Sequence, residues 1–183
     1  MQQTPWFDRS FPPIPDNGLF APILERLEGT PARLYRKVSG VVADLAQPQG
    51  GKWSIKKEIG HLLDLEPLWY ERILQIIGGQ QNLKAADLSN TQTHQADHDQ
   101  KEATALIKAF EAERAKMVAL LRTTTAEDLE KFALHPRLGT RMHLIDLAFF
   151  VAEHDDHHLA HIHHALVGSS STNLKVGEQA IKQ

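Results

Sequence analysis

Fourteen residues near the end of the chain, "EHDDHHLAHIHHAL" (153–166), hold six of its eleven histidines. Imidazole lone pairs bind divalent transition metals, and two histidines four residues apart on one helix can grip a single ion. His154 and His158 have that spacing, and so do His157 and His161. Their surroundings separate them. At 3.6 residues per turn, Leu144, Leu147, Ala148, Val151, Leu159, Ile162 and Leu166 form one apolar stripe. His154 falls at its edge, His158 within it and His161 just outside, whereas His157, His163 and His164 point away. The pair aimed inward is therefore His154 and His158. By spacing alone it is either a chelate or two members of a histidine-rich helix.

A chelate needs a third ligand from another element. His61 lies at the edge of the apolar stripe of an earlier helix, with Glu58 one turn before it on the buried side. Three neutral imidazoles would leave a coordination position open for water or substrate, as a reactive site requires. With no cysteine, any metal must rest on His, Asp or Glu, and any thiol must be brought in as a co-substrate. Asp155 falls near the centre of the stripe, where a carboxylate needs a partner. It is read either as a salt-bridge member with Arg72 or Arg114, or as a base or an orienting acceptor for a ligand histidine. Glu58 carries the same two readings, its plainer role being a half-exposed carboxylate near a helix N-terminus. His94, His98, His135 and His143 are expected in loops or at the surface.

The elements that must position these residues read as helices. Residues 1–17 carry four prolines and no period, which predicts an extended arm. Residues 18–168 form the domain. A short helix is expected over Leu19–Leu27, then a long one restarting at Thr30-Pro31 and running to Leu45. A second long helix is capped by Ser54, ends at Gly78-Gly79 and is kinked rather than stopped by Pro67. A third carries Ala103 to Leu121, and "TTTAEDLEK" reads as a short helix capped by Thr125 with Asp128. The fourth is expected from Arg141 to Val167 with Gly168 as its stop, leaving 169–183 as a loose tail. No stretch alternates with period two, so the reading is all-α: a four-helix bundle without a sheet.

Composition narrows the partners. At 183 residues, 42% hydrophobic, with a net charge of −3 and scattered Lys and Arg, the chain suits one soluble domain with no phosphate-tracking face. No nucleic acid or membrane partner is expected, and the opening residues read as no export signal, so the expected location is cytoplasmic.

"GKWSIKKEIGHLLDLEPLW" followed by "FFVAEHDDHHLAHI" resembles the DinB/YfiT-like superfamily, over about Leu19 to Val167. The markers are the Trp-Ser start before one helix-two histidine and the late His-x-x-x-His. The resemblance implies a four-helix bundle, a homodimer, and a His triad for a divalent ion, which position by position is His61, His154 and His158. Zinc or nickel is the expected ion, with iron or manganese compatible. Members are described as metal-dependent hydrolases, and others as S-transferases or isomerases using bacillithiol, mycothiol or glutathione. The implied function is thus a metal-dependent S-transferase or hydrolase acting on a small-molecule substrate, with a non-catalytic metalloprotein as the alternative. A zinc-protease mechanism is not supported, because Asp155 stands where His-Glu-x-x-His requires Glu.

Overall fold

The structure is a computed structural model that describes residues 3–42, 44–48 and 51–180, with the side chains of 169–180 outside that description. The first side of the bundle is built from two nine-residue helices, α1 (Phe20–Glu28) and α2 (Thr30–Val38). Gly29 closes α1 by donating its N–H to Glu25 O at 3.0 Å, and Pro31 opens α2 where its missing donor costs nothing. The expected run to Leu45 does not form. After Val38 the chain turns extended at Ser39 and left-handed at Gly40 (φ 74°), a conformation glycine adopts freely. Val41, Val42 and Leu45 therefore sit in the connection, and Val42 is fully exposed.

Helix α3 (Ile55–Ile77) starts as expected, Ser54 Oγ accepting from Lys57 N at 3.0 Å, and runs unbroken through Pro67. The polar connection that follows contains a short helix, α4 (Thr91–Gln95), and a 3-10 turn at His98–Gln100. Next come α5 (Ala103–Arg122) and α6 (Ala126–Glu130), the latter with the expected Thr125–Asp128 capping box. The expectation of no sheet needs correction: β1 (Phe132–Leu134) and β2 (Arg141–His143) pair antiparallel, Phe132 opposite His143. Three residues per strand are too few to show alternation. The hairpin also claims residues 141–143, so α7 begins at Leu144 and continues to Ala180, past Gly168. The tail expected from residue 169 onward falls outside the described side chains. The fold is thus all-α apart from one small hairpin.

Ahead of α1, Ile14 N donates to Asp146 Oδ1 at 2.7 Å, while Trp6 and Phe11 pack on Phe150 with ring centroids 5.0 and 4.7 Å apart. This holds the arm against α7. Among the described residues, no helix is long and apolar enough to cross a membrane.

The core is divided along the bundle. One apolar cluster gathers Leu27, Trp69, Ile73, Met117, Leu121, Leu147 and Val151. The other gathers Leu34, Ile59, Leu62, Leu106, Phe110, Leu159 and Ile162. Between them each side of the bundle contributes one polar residue: Thr30, Glu66, Arg114 and Asp155, all buried. Arg114 donates to both Glu66 oxygens, to both Asp155 oxygens and to Leu27 O, and Thr30 Oγ1 donates to Asp155 Oδ2. His154 and His158 flank Asp155 in sequence on α7.

Candidate metal centre

His61 projects from α3, and His154 and His158 from successive turns of α7; all three are buried. One ligand nitrogen from each comes within 4.8 Å of the others, so the three could hold a single ion. The Nε2 atoms of His154 and His158 are 3.2 Å apart. Tetrahedral coordination with metal–nitrogen bonds of about 2.1 Å separates ligand nitrogens by about 3.4 Å, so this spacing suits a shared cation.

The hydrogen bonds behind the rings settle which nitrogens face inward. His158 Nδ1 donates to Glu58 Oε2, leaving its Nε2 as a lone pair. Thr93 Oγ1 donates to Asp64 Oδ2 at 2.8 Å and therefore accepts from His61 Nδ1 at 3.0 Å, which leaves His61 Nε2 bare. His154 Nδ1 is buried without a partner. If that nitrogen carries the proton, two Nε2 lone pairs face each other at 3.2 Å, and a cation between them removes the repulsion. Burial, and next the closeness of the His158 imidazole, lower His61 to about 3, and the same two causes hold His154 well below its ordinary value. Both are neutral imidazoles at pH 7, the form that binds metal.

Glu58 is almost fully buried rather than half-exposed. Burial raises its pKa, but hydrogen bonds from His158 and His161 outweigh it and bring the carboxyl down to about 2. It therefore orients His158 as an ionised acceptor. Glu58, His158 and His161 also come within 4.8 Å of one another. Within that group His158 Nδ1 is already hydrogen-bonded to Glu58 Oε2.

Asp155 is not brought to the metal side. Among the described residues its partners are Arg114 and Thr30, which is the salt-bridge alternative, and no ligand histidine is among them.

Three histidines assigned to loops or to the outer face are buried instead. His157 lies under the arm, its Nδ1 accepting from Gln3 Nε2 at 2.9 Å and facing Arg9 Nη2 at 3.4 Å. His135 packs in the turn after β1. His98 sits on α3, with Nε2 donating to Asp64 Oδ2 at 2.9 Å. It completes a chain from His61 through Thr93 and Asp64 that gave no periodic signal, because Thr93 and His98 lie on one-turn elements. His143 is half-buried against Asp146, and His94, His163 and His164 are exposed.

Gly60 makes room for this chain, since a Cβ there would meet the His98 ring at 2.3–2.5 Å. Helix propensity favours Ala over Gly by about 1 kcal/mol. Gly60→Ala is nevertheless expected to destabilise, by about 1–3 kcal/mol from overpacking, and to weaken metal binding as Asp64 and Thr93 shift. Thermal melting decides it: a stabilised variant would mean that His98 moves aside freely.

The triad forms the floor of a cavity of about 570 Å³, within the range of small-molecule sites. Trp6, Trp53, Leu65, Trp69 and Phe150 supply apolar wall. Residues 22–162 match the family model of the DinB superfamily. A solved structure with similar fold is that of YfiT from Bacillus subtilis, a probable metal-dependent hydrolase with an unusual four-helix bundle topology; the TM-score is 0.74 at 22% identity, covering 88% of this chain and 94% of that one. No functionally curated protein matches the sequence.

Proposed function

This chain belongs to the DinB superfamily, and from that premise we propose that it is a divalent-metal-dependent enzyme in which His61, His154 and His158 hold the ion and the cavity above them takes a small electrophilic substrate. One observation carries the reading. Three imidazole nitrogens converge on the floor of a cavity large enough for a substrate, whereas a structural ion would be enclosed on all sides by ligands. A divalent ion so held supplies Lewis acidity and makes a nucleophile, water or a thiol, available at neutral pH.

The protein's own groups do the rest. Glu58 and Thr93 fix the tautomers of His158 and His61, so that their lone pairs face the ion without rearrangement. Trp6 stands edge-on to His154 at 5.0 Å and Trp53 edge-on to His61 at 4.9 Å, which keeps bulk water from the floor. His161, half-buried and 3.2 Å from Glu58 Oε1, connects that carboxylate toward solvent as a path for a proton.

Hydrolysis needs only water, whereas S-transfer needs a low-molecular-weight thiol such as bacillithiol, mycothiol or glutathione. The test is a pair of panels run on metal-loaded and chelated protein: activated esters and amides with water, and model electrophiles with each thiol. Turnover that needs the ion in one panel identifies the nucleophile. Glu58→Gln is expected to weaken metal affinity about 10–100-fold and to lower that turnover at limiting metal. No metal-dependent rate in either panel would leave the protein a non-catalytic metalloprotein.

A further inference from the structure

The cavity has a second polar feature, on the wall lined by Arg72 of α3 and by His135 and Arg137 of the turn between β1 and β2. Arg72 is 1% exposed, yet no carboxylate is within ion-pair distance of it or of Arg137 among the described residues. A buried cation without a counter-charge is costly. The two carboxylates that line the same cavity are engaged elsewhere, Glu58 by His158 and His161, Asp87 by Ser89 and Thr91.

The donors on this wall outnumber the acceptors. Arg72 directs Nε and Nη2 to Lys84 O at 2.9 and 2.7 Å, and its Nη1 faces His135 Nε2 at 3.2 Å. The backbone N–H groups of Arg137 and Leu138 approach the other ring nitrogen, His135 Nδ1, at 3.3 and 3.2 Å. A neutral imidazole has one lone pair. Whichever tautomer His135 adopts, donors on one side of it are left without an acceptor. Arg137 Nη2 is buried with no partner at all. Burial and then the charge of Arg72 lower His135 to about 4, so the ring stays neutral.

We propose that Arg72, His135 and Arg137 form an anion-binding subsite that takes the carboxylate or phosphate end of the substrate while its reacting group lies at the triad. Guanidinium groups recognise such oxyanions by paired N–H donors. The indole of Trp69 spans the two regions, with the Arg72 guanidinium 5.2 Å from its centroid and the His154 ring 5.7 Å from it. Arg137 is backed by Phe7, 5.2 Å away, and Phe150 lies between His135 and Trp6. The substrate class is a small acid with an apolar middle. This assignment of substrate rests on the triad being the reacting centre, but the binding of an anion does not.

The test is calorimetric titration of the whole protein, metal-loaded and at low ionic strength, with malate, inorganic phosphate and the uncharged malamide. Wild type is expected to bind malate or phosphate saturably, the stronger of the two naming the oxyanion, and not to bind malamide. Arg137→Gln, at a half-buried residue without an ion pair, is expected to fold normally and to weaken the anion at least tenfold. Arg72→Gln should do the same, with its melting temperature checked because it also loses contacts to Lys84. His154→Ala, which removes a triad ligand, should still bind the anion. Absence of saturable anion binding by wild type, or equal affinity in Arg137→Gln, overturns the subsite. So does an affinity that vanishes in His154→Ala but persists in Arg137→Gln, because the anion is then a ligand of the metal. Anion binding by a protein that takes up no metal would uphold the subsite and sink the proposed enzyme.

Discussion

Arg114→Met is expected to cost the folded protein about 3–5 kcal/mol while leaving the metal ligands in place. The guanidinium is 1% exposed and the carboxylates of Glu66 and Asp155 are equally enclosed. It donates at 2.5 and 3.0 Å to Asp155, at 2.7 to 3.2 Å to Glu66, and at 3.0 Å to Leu27 O. Methionine fills similar space but strands two buried carboxylates, and removing one member of such a cluster costs far more than replacing all of it. The pH dependence follows. Burial raises Glu66 to about 7, because one guanidinium shared between two carboxylates does not offset it, and Asp155 adds to the rise. A folded-state pKa above the unfolded value contributes stability below pH 4.5 that is lost as pH rises through about 7. Without Arg114 the shift grows, so the variant should be less destabilised at pH 5 than at pH 8. Asp155→Asn leaves Glu66 facing Arg114 and is expected to cost less, about 1.5–3 kcal/mol for a charged hydrogen bond replaced by opposed donors. Denaturant melts at the two pH values check both. Wild-type stability in Arg114→Met would mean that the layer is solvated, and reduced turnover without lost stability in Asp155→Asn would restore a chemical role for Asp155.

What was legible in the sequence was what period 3.6 encodes. The stripes of α3, α5 and α7 locate the bundle, and the same periodicity selects His61, His154 and His158, because a side chain pointing into a bundle must share the phase of its core. Phase also puts Asp155 in the buried stripe, where a partner such as Arg72 or Arg114 is one of its two readings. It could not choose between a partner and a proton acceptor, since that depends on what α5 presents opposite. His98 and His135 were misplaced for a different reason. Each is carried by an element of three to five residues, or by a turn, where no period exists, and each is buried because a larger element covers it. The end of α2 was set by a single residue, Gly40, against an apolar pattern that continued through Val41 and Val42. Local backbone freedom prevailed there over periodicity, since those valines had no core to face.

The triad itself should respond sharply to single substitutions. His61→Ala, His154→Ala and His158→Ala are each expected to abolish stoichiometric metal binding and the metal-dependent turnover, because two imidazoles cannot hold an ion that three hold with an open position. His163→Ala and His164→Ala, at exposed positions, should retain both. His157→Ala should keep the ion but loosen the arm that Gln3 and Arg9 pin against it. An ion that binds only the folded state stabilises it by about 2.7 kcal/mol at a hundred times its dissociation constant. In a domain this size that is roughly 5–10 °C of melting temperature. Chelation should remove that increment without unfolding the bundle, whose two apolar clusters are packed by side chains that are not metal ligands. Each triad variant should melt where the chelated wild type does, and added metal should not shift it. Metal analysis of the purified variants is decisive at His61, the one ligand from α3. If His61→Ala keeps full stoichiometry while His161→Ala loses the ion, the metal belongs to Glu58, His158 and His161, and the nitrogens converging on the cavity floor do not form its centre.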